Sequence, residues 1–352
     1  MNYHENDITT EQLSRKFYHF AELQAIGHSP LYEKICYGIA ADNDVLHLSG
    51  YALVGQPIPN ILLASVHYLL LKGAQHPLAA YYPDVSEAAR PFDDVYPVFH
   101  DFCLQFRDEI KQQVAVRLTQ TNETGRCALL LPVFNMVAER AKKPLALIEV
   151  GTSAGLNLLW DQYGYRYSDG QTLGISDASL VLQSEVRGDQ HPPIPASFPV
   201  VASRVGIDIN PLDLHDPENA LWLRALVWPD DLARAKQLQN AINIAQKHSL
   251  ELIKGDALEI LPRVLENVPT DSVPCVFHSY VLNQFSPENR ERFYELLQEL
   301  AAQRDLYCIG IEHIGAHVKT EVKLAAFEGG VRSDTVMAYC HDHGKWIEWI
   351  AG

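Results

Sequence analysis

Between residues 9 and 143 apolar positions recur at the three-to-four spacing of helices, and no convincing strand run appears. Thr9-Thr10-Glu11-Gln12 predicts a helix start, with hydroxyl caps and an early acid. Ser29-Pro30-Leu31 predicts another, with Ser29 as N-cap and Pro30 in the first helical position. Stretches 60–73, 96–118 and 124–141 read as further helices, separated by turn-rich pieces at 50–59 and 76–91. The texture changes at Pro144. From there short Val-, Ile- and Leu-rich runs alternate with helical stretches, at 145–150, 201–207, 251–254, 273–278 and 306–312. Strands covered by helices on both faces of a parallel sheet have this character. Stretches 333–340 and 345–350 flank the turn His341-Asp342-His343-Gly344, predicting an antiparallel hairpin at the sheet edge. Residues 162–200 break the alternation, and 163–167 and 180–186 look like extra strands. The expectation is an α/β chain: an all-helical domain at 1–143, then a Rossmann-like domain at 144–352. That second domain carries a doubly wound, mostly parallel sheet with a terminal antiparallel hairpin and an insertion at 162–200.

Composition narrows the partners. Hydrophobic residues make up 47% and charged residues 20%, as in ordinary water-soluble domains. The longest apolar runs, 61–71 and 127–137, are interrupted and too short to span a bilayer. The polar start, MNYHENDITTEQL, lacks the basic-then-apolar layout of a signal peptide, so the expected location is cytoplasmic. With 28 Lys+Arg against 44 Asp+Glu, the formal net charge is −16 and there is no basic run. Nucleic acid would be repelled, so neither it nor a membrane is expected as partner, and a small-molecule substrate is. Oligomeric state leaves no mark on the sequence. Six scattered cysteines without a CxxC pair read as buried, reduced thiols. His341 and His343 read as a solvated turn, since no Cys or carboxylate completes a metal spacing, and no metal is expected.

The chemistry concentrates at Glu149-Val150-Gly151-Thr152-Ser153-Ala154-Gly155-Leu156-Asn157. An apolar strand delivers the chain to Gly151, and small residues let the backbone turn close to a ligand. The N–H groups of the following helix start suit electron-rich atoms. In open parallel sheets ligands sit beyond the carboxyl ends of strands, where this turn lies. Asp208 ends Val205-Gly206-Ile207-Asp208, where ribose hydroxyls could donate. Asp256 follows Leu252-Ile253-Lys254-Gly255, where an adenine amino group could donate. Asp208 comes 57 residues after Gly151. Roughly 20 is usual between such a turn and its ribose acid, so the assignment holds only if 162–200 loops out of the sheet, and fails if it does not. A dinucleotide fingerprint fails at Ser153 and Leu156, and no GK[ST] follows to make a P-loop. The same turn matches GxSxG, which keeps open a serine hydrolase using Ser153, with partners among Glu312, His313 and His341.

On these motifs residues 145–350 resemble the class I S-adenosylmethionine-dependent methyltransferases. ExGxSxG at 149–155 is similar to their first motif, Asp208 to the acid after their second strand, and Gly255-Asp256-Ala257 to that after the third. The terminal hairpin is similar to their reversed last strand. The resemblance implies S-adenosylmethionine as cofactor and a small or medium methyl acceptor. Glu149, Gly151, Ser153, Gly155 and Asn157 would hold the methionine end, Asp208 the ribose, and Asp256 with Ala257 the adenine. His278, Tyr280 and Asn283, after the fourth strand, are the candidate catalytic residues, with His278 as the base for the acceptor proton. His67, Tyr81, Tyr82, Trp228 and His313 are candidates to line the acceptor pocket. The whole chain also resembles the bacterial domain of unknown function 2332. That likeness runs through Ser29-Pro30-Leu31-Tyr32, His76-Pro77-Leu78-Ala79, Tyr81-Tyr82-Pro83, the 149–157 motif and Leu226-Val227-Trp228-Pro229-Asp230. A fold does not fix a function, so an adenosyl-ligand-binding protein without turnover is the alternative.

Overall fold

The structure is a computed structural model that describes residues 8–87, 90–176, 178–313 and 319–351. Contacts group the chain into two compact units, 1–121 with 215–239, and 122–214 with 240–352. The sequence texture changes at 143/144, whereas compactness divides first at 121/122. Helix Cys127–Ala141 explains the difference: it is buried along most of its length and packs on the sheet, with Phe134 5.3 Å from Phe277.

The described elements of the first unit are helical. Helix Thr10–Phe20 opens with a capping box between Thr9 and Gln12, and helix Pro30–Ala40 is capped by Ser29. Helix Ile58–Leu71 is buried nearly all round and takes the centre of this unit's core. The single helix expected over 96–118 is two, Val95–Gln105 and Arg107–Val116. Phe106 between them leaves helical geometry (φ −106°, ψ 30°), and its ring packs 4.5 Å from Phe102. Helix Pro217–Ala225 completes the unit, with the Trp222 indole donating to the Leu118 carbonyl at 2.9 Å.

The second unit is built on eleven strands: β1 (Leu145–Val150), β2 (Gly164–Tyr167), β3 (Thr172–Leu173), β4 (Val181–Arg187), β5 (Val201–Asp208), β6 (Glu251–Lys254), β7 (Val273–Ser279), β8 (Leu306–Glu312), β9 (Thr320–Glu328), β10 (Val331–Cys340) and β11 (Trp346–Trp349). They form one sheet in the order β3-β2-β4-β11-β10-β9-β8-β7-β1-β5-β6. β6-β5-β1-β7-β8 is parallel throughout, β8 to β11 is an antiparallel meander, and β4 is parallel to both β11 and β2. The fold is thus mixed α/β around a large, mostly parallel sheet.

Two expectations change. The terminal hairpin β10–β11 forms, but it lies inside the sheet, because β4 pairs with β11 (Trp346↔Glu185) and covers that side. The 162–200 segment does leave the space between β1 and β5, which pair directly, yet it does not loop out. Its strands extend the far end of the same sheet. β9 has no counterpart among the expected strands.

β1, β7 and β8 are buried on both faces, as in a covered parallel sheet. Side chains alternate between the faces. Ala146, Ile148, Val150 and Val276 pack with Leu261, Phe293 and Leu297 of helices Ala257–Glu266 and Pro287–Leu300. Phe277, on the other face, meets Phe134, which also lies 4.9 Å from Trp160. All six cysteines are buried and free. No helix among the described residues is long and apolar enough to cross a membrane.

Candidate functional site at the β1 turn

After β1 the chain first lays down β2, β3 and β4 at the far end of the sheet, then places β5 and β6 on one side of β1 and β7 and β8 on the other. The winding therefore reverses between β1 and β7, the place where open parallel sheets receive ligands. Register pairs Val150 with both Ile207 and His278, so Gly151, Asp208 and Ser279 all emerge at that end.

The turn holds three left-handed residues, Gly151 (φ 71°), Ser153 (φ 52°) and Gly155 (φ 76°). Glycine is required at 151 twice over: a Cβ there would also lie 2.2 Å from Val281 Cγ2. At 155 it would lie 2.8 Å from Leu250 Cδ1. Ser153 carries a left-handed cost of roughly 1–2 kcal/mol. Its amide donates to Asp208 Oδ2 at 2.8 Å and its carbonyl accepts the Leu212 N–H at 3.0 Å, which fixes that conformation. The 57-residue gap to Asp208 is thus closed by the sheet itself, through the direct pairing of β1 with β5, although 162–200 stays in the sheet.

Glu149 points into the interior, where its carboxyl accepts from the Thr152 hydroxyl at 2.7 Å and from Asn157 Nδ2 at 3.2 Å. Burial pushes its pKa up to about 8, against the pull of those two hydrogen bonds and with the Asp208 carboxylate adding to the rise. Two of the residues expected at a methionine end, Glu149 and Asn157, therefore brace the turn from behind. The segment after Gly155 is a 3₁₀ run, Leu156–Gln162, where an α-helix start was expected. Several turn amides donate to protein acceptors: Gly151 and Thr152 to the Ile207 carbonyl (2.8 and 3.2 Å), Ser153 to Asp208, and Leu156 to Asn122 Oδ1 at 2.9 Å.

Asp256 caps the helix it precedes, accepting the Leu258 N–H at 2.8 Å, and Ala257 packs into the core. The Gly255 N–H donates to the Asp208 carbonyl at 2.9 Å, which ties the ends of β5 and β6 together.

His278 is fully buried and walled by Phe293 (rings 5.7 Å apart) and by Gly310, whose Cβ would sit 2.7 Å from its Cε1. Its Nδ1 lies 2.7 Å from Glu312 Oε1, and that carboxylate also accepts the N–H groups of Val281, Leu282 and Asn283 at 3.0, 3.0 and 3.3 Å. Burial acts against the imidazolium, but contact with Cys308 and the Glu312 carboxylate outweigh it and raise the pKa to about 10. The Cys308 sulfur gives Nε2 no hydrogen bond, so the Glu312 carboxylate is the partner that holds the charge. Glu312 is held below the usual carboxylate range: burial opposes this, and His278 and the backbone donors prevail. Tyr280 is left-handed (φ 59°), with its hydroxyl 2.8 Å from Thr320 Oγ1. Asn283 and His313 are exposed.

Sequence reasoning missed Arg126. Its guanidinium stacks 4.3 Å from the Tyr280 ring centroid while Nη1 donates to Ser279 Oγ at 3.2 Å and Nε to the Asp342 carbonyl at 2.8 Å. Thr320 in turn donates to Asp342 Oδ1 at 2.6 Å. No spacing rule joins residues 126, 280, 320 and 342. His67, Tyr81, Tyr82 and Trp228 all belong to the first unit. One trio there, Asp42, Asp44 and His100, brings potential metal-donor atoms within 4.8 Å of one another, but Asp42 already caps helix Asn43–Ser49 and accepts the Tyr96 hydroxyl.

The model of a family described as "Uncharacterized protein conserved in bacteria (DUF2332)" matches residues 14–349. The chain belongs to the DUF2332 family. Among DUF2332 residues singled out in the sequence, Ser29 and Asp230 are bonded to each other at 2.8 Å, and the 149–157 segment forms the turn described above. No curated protein and no solved structure matches the chain.

Proposed function

We propose that this DUF2332 protein is an S-adenosylmethionine-dependent methyltransferase acting on a small or medium acceptor. The observation that carries the reading is the meeting of Asp208 with the glycine turn, 2.8 Å from the Ser153 amide, where the winding of the sheet reverses. The donor set fits a sulfonium cofactor in its charge. Asp208 and Asp256 stand at or just beyond the ends of two adjacent parallel strands beside the turn, and acids so placed favour a cation. The turn 151–155 would take the methionine end, Asp208 the ribose, and Asp256 with Ala257 the adenine. The cofactor, when bound, supplies an electrophilic methyl group.

The chain's own residues supply alignment, which accounts for the larger part of such a rate enhancement. Glu149, Thr152 and Asn157 hold the turn rigid from behind. Buried His278 sets the 280–283 loop through Glu312, a positioning role in place of the base expected from sequence. Tyr280, oriented by Arg126 and Thr320, and exposed Asn283 are the groups of that loop left to face an acceptor.

Calorimetry with S-adenosylhomocysteine tests the reading. Binding is expected, weakened about 10- to 100-fold by Asp208→Asn, since a hydrogen bond to a charged group is worth about 1.5–3 kcal/mol. No binding by folded protein would sink it. Binding without any methylated product from metabolite pools would favour the non-catalytic alternative. One observation favours a second reading: Ser153 is a left-handed non-glycine between two glycines at a strand-to-turn junction, the setting of a hydrolase nucleophile. Covalent labelling of Ser153 by a fluorophosphonate would decide for it.

A further inference from the structure

β10 is paired on both sides over only part of its length. β9 runs beside all of it, from Val331↔Glu328 to Cys340↔Thr320, whereas β11 meets it only at Ala338–Cys340. The Ile350 and Ala351 amides extend that cover as far as the Met337 carbonyl. Among the described residues, no backbone group bonds the outer side of 331–336. Val331 to Thr335 are all exposed, Val331 at 68%.

The hairpin turn decides which groups point outward. Gly329 and Gly330 both have positive φ (55° and 79°), the mark of a two-residue type I′ turn, so the flanking Glu328 and Val331 exchange hydrogen bonds. Bonded and non-bonded pairs alternate along an antiparallel ladder. Val331, Ser333 and Thr335 therefore turn their N–H and C=O groups to β9, and Arg332 and Asp334 turn theirs to the open side. Arg332 and Asp334 also share one face of the strand. Their side chains are joined Nε to Oδ1 and Nη2 to Oδ2, both at 2.9 Å, and the guanidinium stacks 4.2 Å from the Tyr294 ring centroid. Helix Pro287–Leu300 leaves the face beside the edge recessed: Glu291, Tyr294, Glu295, Gln298 and Arg332 line a groove of about 310 Å³.

This edge is its own complement. In an antiparallel second copy, related by a two-fold axis at Ser333, Arg332 lies opposite the partner's Asp334, and Asp334 opposite the partner's Arg332. Each pair exchanges two backbone hydrogen bonds and sets opposite charges directly across from one another. A slip of one residue would set outward groups against inward ones and lose the bonds. A slip of two would set Arg332 against Arg332, or Asp334 against Asp334, so charge selects one register. The net charge of −16 makes two copies repel at large, and a self-contact needs a locally neutral surface. Residues 331–336 carry one cation and one anion.

We propose that the 331–336 edge of β10 is a self-association surface, through which two copies of this chain join their sheets about a two-fold axis at Ser333. Such a contact uses the same patch on both copies. A strand pair this short buries less than the ~1,600 Å² usual for a stable complex, so the dimer is weak and concentration-dependent. The proposal is independent of the methyltransferase reading.

Sedimentation equilibrium of the full chain, at concentrations up to ~1 mM, tests it. The mass should rise from one chain towards two, and the Arg332 and Asp334 amides should gain protection from hydrogen exchange in step. Arg332→Asp sets acids opposite acids, and Asp334→Arg sets cations opposite cations, so each variant alone should self-associate at least about tenfold more weakly. Mixed in equal amounts, the two variants restore both ion pairs and the dimer should return, which also shows that both are folded. A single-chain mass at every concentration overturns the proposal. So does a dimer that leaves those amides unprotected, a dimer that neither reversal weakens, or folded variants that fail to restore it on mixing. The first of these outcomes would make the Arg332–Asp334 pair a guard against edge pairing.

Discussion

Glu149→Gln isolates the buried carboxyl that braces the glycine turn. The substitution keeps the shape, an acceptor for Asn157 and a group able to bond Thr152. It removes only the titration. In the folded protein the carboxyl titrates at about 8, against 4.5 for an ordinary glutamate. Such a raised group contributes stability that is fully present below pH 4.5 and is lost as pH rises through about 8. Over that window it should cost the wild-type protein up to about 1.4 kcal/mol per pH unit, or ~3–5 kcal/mol in all. The variant lacks this loss. Urea unfolding of both proteins from pH 5 to pH 9 measures it, because every other titrating group cancels in the difference. The two should agree within ~1 kcal/mol at pH 5, and the variant should be the more stable by ~3–5 kcal/mol at pH 9. A difference that stays constant with pH would refute the buried, proton-holding carboxyl.

Gly151→Ala should destabilise by ~2–5 kcal/mol, the sum of a left-handed alanine and its overlap with Val281. Adding Val281→Ala should restore ~1–2 kcal/mol of it in a double-mutant cycle read by urea unfolding; strict additivity would show the two do not touch. Glu312→Ala should cost ~3–5 kcal/mol, since it strands the His278 charge and three backbone amides. His278 is raised from 6.5 to about 10, so its contribution is fully present below pH 6.5 and lost as pH rises through about 10. The Glu312→Ala penalty should therefore shrink between those values, and a penalty independent of pH would show that His278 is uncharged.

The parallel strands were legible because burial on both faces writes itself as short apolar runs. β1 and β8 begin and end where those runs do. β9, Thr-Glu-Val-Lys-Leu-Ala-Ala-Phe-Glu, alternates only in its first half, so its pattern does not predict a strand. The terminal hairpin was visible in its turn residues, but its place inside the sheet depends on β4, which no local pattern connects to it. At the site, the glycines at 151 and 155 and the acid at 208 could be read from spacing and strand ends. The inward commitment of Glu149 had a faint signal, since Thr152 and Asn157 are ready donors just downstream. Arg126, Thr320 and Asp342 left none, because they meet Tyr280 only through tertiary packing.

The pairing of β4 with β11 has a consequence for synthesis on the ribosome. β2, β3 and β4 emerge soon after β1, yet the strand that completes their attachment, β11, lies about 160 residues further along. At about 5–20 residues per second, that is a wait on the order of ten seconds. During it the three strands present an open hydrogen-bonding edge to solvent or to a chaperone. Nascent chains stalled before Trp346 should therefore be the form of this protein most prone to pair with one another.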